Sequence, residues 1–156
     1  SAGEMREAVV SRAGAADVVI MAAAVADYAP EPASRKIPKD DEELVLRMRR
    51  TPDILGELGT LRREGRTAAI LVGFAAETGD PVPRAREKRQ RKGVDLIVAN
   101  DVSRPGAGFD VDTNEVTLVG EDGEDALPLQ SKARVASAIL DRVEALLARR
   151  EAGHAR

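Results

Sequence analysis

Cysteine and tryptophan are absent from this sequence, and its aromatic residues number only three: Tyr28, Phe74 and Phe109. Without cysteine there is no disulfide, thiolate metal site or thiol nucleophile, a usage that fits a cytoplasmic protein. Three rings are too few to form a stacking platform for single-stranded nucleic acid. Neither sign of charge dominates. The 24 basic and 27 acidic residues leave a net charge of −3, so nucleic acid and anionic membranes are not expected partners. The longest apolar run, residues 18–26, spans nine positions, far short of the ~20 needed by a membrane helix. The opening residues Ser-Ala-Gly-Glu-Met do not read as a secretory leader. The one histidine, His154, lies in a tail expected to fray, which argues against a Ser–His–Asp triad. Walker-type and G-x-G-x-x-G loops are also missing, so no glycine turn is available to cradle phosphate.

What is present suits one globular domain: 156 residues, 43% apolar and 33% charged, with a core of alanine, valine, isoleucine and leucine. Residues 4–14 have helical spacing with no visible cap. Residues 18–24, 68–76 and 96–99 are unbroken apolar runs of the kind that form strands buried on both faces of a parallel sheet. Prolines 30, 32 and 38 make residues 29–41 a flexible arm. Alternation across Leu44, Leu46 and Met48 predicts a strand with one wetter face. Thr51-Pro52-Asp53 reads as a helix start with Thr51 as its cap, and Asp80-Pro81 opens a strongly basic helix that stops at Gly93. Residues 115–119 and 126–129 flank Glu121-Asp122-Gly123 as a hairpin, and Ser131 caps a closing helix that gives way to a frayed tail at residues 149–156. The fold expected is α/β: a three-layer, Rossmann-like, mostly parallel sheet ending in a hairpin and closing helix.

In such sheets ligands bind beyond the carboxyl ends of the strands. That rule selects residues 24–28, 49–55, 73–78 and 99–103. Lys88 and Lys92 lie four apart and so project from one helix face; they either meet an anion or belong to a solvated charge run. Lys36 and Lys39 make the arm basic as well. Asp27 ends an apolar run and is either a turn cap or an acceptor for a ribose hydroxyl, an amine or a hydrated metal. Phe74 is a core residue or a surface for a planar base, and residues 52–55 offer free N–H groups at a helix start. Asp110, Asp112, Asn114 and Glu121 mimic a calcium loop, but Glu115 stands where glycine is required, which rejects it.

These residues also carry a family resemblance. The string Ala22-Ala23-Ala24-Val25-Ala26-Asp27-Tyr28-x-Pro30 resembles the signature of phosphopantothenate–cysteine ligases. In the same order follow Lys36-Ile37-x-Lys39, Thr51-Pro52-Asp53-Ile54-Leu55, Val72-Gly73-Phe74-Ala75-Ala76-Glu77-Thr78, Lys88 with Lys92, Ile97-Val98-Ala99-Asn100-Asp101, and Gly108-Phe109 leading to Asn114. The resemblance spans residues 4–147, and several motifs in one order are far more specific than any single one. It implies a role in coenzyme A biosynthesis: CTP activates 4′-phosphopantothenate as an acyl-cytidylate, and cysteine displaces CMP. It further implies that Met21, Ala22, Ala23 and Asp27 contact the nucleotide. Lys36 would act catalytically on phosphate, Pro52, Asp53, Ile54, Leu55 and Phe74 would hold base and sugar, and Lys88 and Lys92 would pair with the triphosphate. Magnesium or manganese is the implied cation, and FMN enters only if a flavin-dependent decarboxylase precedes this chain. A homodimer is implied, with the arm reaching a neighbouring site. Pro38 departs from the pattern, standing where a second basic residue is usual. The family's first strands, its glycine-rich segment and an asparagine acting on the acyl-cytidylate are expected ahead of the matching region. An alternative is therefore a catalytically incomplete nucleotide-binding or regulatory module.

Overall fold

A computed structural model of the chain describes residues 1–32, 44–104, 106 and 111–154. Helix α1 (Ala2–Ala13) leads into strand β1 (Val18–Met21); β2 (Tyr28–Pro30) and β3 (Met48–Arg50) precede helix α2 (Ile54–Arg63). Strand β4 (Ile70–Glu77), helix α3 (Val82–Lys92) and strand β5 (Leu96–Asp101) follow, then β6 (Thr113–Val119), β7 (Glu124–Ser131) and the closing helix α4 (Lys132–His154).

The main sheet has five strands in the order β1-β4-β5-β6-β7. β1, β4 and β5 run parallel, whereas β6 is antiparallel to both β5 and β7. Alternation along β4 divides the core in two. Leu71 and Ala75 face one layer, packed under Ala13 of α1, Ile54, Leu58 and Leu61 of α2 and Ala85 of α3. Ile70, Val72 and Phe74 face the other, closed by Val135, Ile139 and Val143 of α4. Aliphatic residues, with Phe74 as the one aromatic packed against them among the described residues, give this three-layer α/β arrangement, as the continuous apolar runs require.

Local signals mostly sit where the sequence puts them, with instructive exceptions. The start of α1 is capped: Ser1 Oγ accepts from the Glu4 N–H at 3.3 Å in a capping box. α2 is capped by Asp53 instead of Thr51, because the Thr51 hydroxyl turns back to donate to the Ala26 carbonyl. Asp80 Oδ1 accepts from the Val82 N–H at 3.1 Å, and Gly93 ends α3 at φ +63°. β1 stops at Met21, and residues 22–24 are exposed. It is also only half-buried, because it lies at the sheet edge with β4 on one side. The alternating segment forms a strand only at Met48–Arg50, in a two-stranded ribbon with Tyr28–Pro30. Leu44, Val45 and Leu46 stay exposed because no layer covers them. That ribbon takes residues 29 and 30 from the expected arm; the stretch of it from residue 33, with Lys36, Pro38 and Lys39, lies outside the described residues. At the other end α4 continues as helix to His154, through residues expected to fray.

Candidate functional site

A cavity of about 1110 Å³ opens beyond the carboxyl ends of β1 and β4, the place where open α/β sheets bind ligands. Glycines keep the packing beneath it close. A β-carbon on Gly73 would come within 2.5 Å of Leu55 Cδ2 and 2.9 Å of Ile97 Cδ1, so those side-chain tips would have to shift to admit a larger residue. Gly59 plays the same part between helices, since a β-carbon there would overlap the Lys92 carbonyl oxygen. Met21, Ala23, Val25 and Asp27 enter from the segment after β1; Pro52, Asp53, Ile54 and Leu55 come from the start of α2, and Phe74 and Glu77 from β4. Lys88, Arg91 and Lys92 come from α3.

The two lysines are held differently. Lys88 Nζ donates to the Phe74 carbonyl at 2.7 Å, while Lys92 Nζ is ion-paired with the Asp53 carboxylate. Burial pushes the Lys88 ammonium below the ordinary lysine value, and the charge of Lys92 adds to this against the opposing pull of Glu77 and Asp27. Partial burial would raise the Asp53 carboxyl, but the hydrogen bonds from Lys92 and from the Gly56 N–H, with the Lys92 charge, hold it below the usual carboxylate range. The cations of the basic helix divide by partner: Arg84 and Arg86 pair with Glu77 and Glu124, whereas Lys88, Arg91 and Lys92 line the hollow.

Of the residues expected at the site, Met21, Ala23, Asp27, Pro52, Asp53, Ile54, Leu55, Phe74, Lys88 and Lys92 all line this one cavity. Ala22 is exposed but does not line it, and Lys36 lies outside the described residues. Phe74 supplies its carbonyl to Lys88, and its side chain packs toward the α4 layer. Residues 99–103 stand apart: Asp101 Oδ1 accepts from the Gly79 and Ser103 N–H groups at 3.1 and 3.0 Å and organises a turn. Sequence reasoning missed Arg50, Arg63 and Arg91, which also line the cavity. Arg50 was within a selected segment. Its guanidinium lies 5.9 Å from the centroid of the Tyr28 ring, its cross-strand partner in the ribbon. Arg63 follows from no linear signal, because only the packing of α2 brings it to the rim.

A mostly parallel sheet covered by helices, with a lysine-lined hollow at its strand ends, defines a Rossmann-like α/β domain. The chain belongs to the family described as the DNA/pantothenate metabolism flavoprotein C-terminal domain, which it matches over residues 1–147. It is 49% identical over 148 residues to the coenzyme A biosynthesis bifunctional protein CoaBC of Bacillus subtilis (strain 168), covering 94% of this chain and 36% of that protein. The protein of the same name from Vibrio vulnificus (strain YJ016) is 43% identical over 150 residues, covering 94% and 37%. The crystal structure of the C-terminal domain of CoaBC superposes with a TM-score of 0.73 at 37% identity, covering 94% of this chain and 63% of that one. The chain therefore spans little more than a third of the length of these curated relatives. Among the described residues no helix is long and apolar enough to cross a membrane.

Proposed function

We propose that this domain serves coenzyme A biosynthesis as a phosphopantothenate–cysteine ligase that uses CTP. The observation that carries the reading is the meeting of Lys88 and Lys92 with the amino end of α2 in one cavity at the strand ends, in a chain of this family. In the proposed reaction a carboxylate oxygen of 4′-phosphopantothenate attacks the α-phosphorus of CTP, and the bond to pyrophosphate breaks. The cysteine amine then attacks the acyl carbon of the acyl-cytidylate, CMP leaves, and the amine proton passes to solvent. Lys88 and Lys92 stabilise the negative charge that gathers on the phosphoryl oxygens. The turn after β1, with Met21, Ala22, Ala23 and Asp27, is assigned to the nucleotide. Pro52, Asp53, Ile54, Leu55 and Phe74 are assigned to base and sugar, and Lys36 to phosphate during activation.

Magnesium or manganese would lie mainly on the nucleotide's own phosphates and waters, which is how such cations are usually held. No group of three potential ligands gathers among the described residues. Within the cavity Asp53, Glu57 and Glu77 are paired with Lys92, Arg6 and Arg84, so the exposed carboxylate of Asp27 is the one placed to meet a hydrated cation. The cation would add positive charge to the triphosphate and ease departure of pyrophosphate. The homodimer belongs to the same proposal, and the exposed apolar residues Leu44, Val45, Leu46 and Met48 support it.

Calorimetric titration with CTP tests the binding half of the proposal. Lys88→Ala or Lys92→Ala should each weaken it, and in turnover each should raise the barrier by about 2–4 kcal/mol, as loss of a fixed electrostatic donor does. Release of pyrophosphate that requires 4′-phosphopantothenate supports the ligase. Tight CTP binding with no pyrophosphate release points instead to a nucleotide-binding module, and unchanged affinity in both variants refutes the site.

A further inference from the structure

We propose that Asp53 is an internal counter-anion that competes with ligand phosphate for Lys92 and takes the lysine back as pyrophosphate leaves. The inference rests on the nucleotide-binding reading above and adds to it a means of releasing product.

Asp53 caps α2, and its Oδ1 accepts from the Gly56 N–H at 3.0 Å. A β-carbon on Gly56 would approach Oδ2 to 2.5 Å, so a larger residue there would make the carboxylate shift from this position. The positive end of the helix, an attractive place for a phosphate, is thus already filled by the protein's own anion. The same carboxylate pairs with Lys92, whose side chain is only 16% exposed, while Asp53 itself is 58% exposed on the cavity side. Lys92 is therefore a sheltered cation with a displaceable partner. Lys88, one turn earlier, faces a neutral carbonyl and keeps further N–H donors for a ligand without surrendering a charge. The two lysines differ in what a polyphosphate must do at each. It adds to Lys88, but at Lys92 it must replace a carboxylate. The exchange weakens the hold on polyphosphate, and it leaves Lys92 with a partner waiting when the ligand departs.

The test is calorimetric titration of the full chain with inorganic pyrophosphate, comparing the parent with Asp53→Asn. Asparagine caps a helix about as well as aspartate, so α2 should keep its start, which an unchanged helical circular dichroism signal verifies. Glu77→Gln removes one charge from the same cavity without touching Lys92 and sets the baseline for a general field effect. Asp53→Asn should tighten pyrophosphate binding about threefold or more, the scale expected on freeing one partner of a part-exposed ion pair, and clearly beyond Glu77→Gln. A gain no larger than that of Glu77→Gln, or weaker binding, overturns the inference while CTP binding by the parent leaves the nucleotide reading standing. Absence of pyrophosphate binding in every protein overturns it too, and failure of CTP to bind the parent then removes the reading as well.

Discussion

Lys88 shows how a residue suited to binding strains its own fold. Its ammonium is partly desolvated beside Lys92, so the folded chain prefers it uncharged more than the unfolded chain does. Between its lowered value and the ordinary lysine value of about 10.4, the unfolded state holds more protons, and stability rises with pH. Lys88→Met removes that dependence. The variant should melt higher relative to the parent at pH 7 than at pH 10, while losing affinity for CTP; a constant difference across that range would contradict the assignment. The sequence shows that Lys88 and Lys92 share a helix face, since four residues make about one turn. It does not show their different fates. The carbonyl under Lys88 comes from β4 and the carboxylate on Lys92 from the start of α2, both distant in the chain.

The elements were legible where signals are local and misread where neighbours decide. Gly93 as the stop of α3 and the hairpin of β6 and β7 follow from backbone chemistry that needs no tertiary contact. The cap of α2 passed from Thr51 to Asp53 because the Ala26 carbonyl, a tertiary neighbour, captured the threonine hydroxyl. The alternation at residues 44–48 looked like a strand, but pairing with residues 28–30 extends only over Met48–Arg50. Gly59 belongs to this scale as well. It sits inside α2, where glycine is unfavourable, and its reason is the Lys92 carbonyl pressed against it. Gly59→Ala should force α3 outward and lower stability by about 1–3 kcal/mol, the usual range for overpacking. CTP affinity should fall with it because both lysines ride on α3. Denaturant unfolding together with calorimetry checks both, and a variant as stable as the parent would show that the helices do not depend on this approach.

In the whole molecule the weak point is the edge formed by β1. Its outer side has no strand beside it among the described residues, and Ile20 is 37% exposed there. Apolar edges pair with other chains, and a charge is the usual protection. The 156-residue chain should therefore associate at high concentration and Ile20→Lys should suppress this, as light scattering would reveal; a monomeric parent would refute it. The amino-acid order by itself determined the α/β class, because unbroken aliphatic runs demand two covering layers and helical periodicity between them supplies those layers. It also marked the ends of β4 and β5, since their apolar runs stop just before Glu77 and Asp101, whereas β1 stops at Met21 inside its run. Tertiary structure alone decided that Phe74 turns its side chain toward α4, that Arg63 joins the rim, and that Asp53 occupies Lys92. Each of these depends on where a second segment packs, and hydrophobic periodicity specifies that a face is covered without specifying by what.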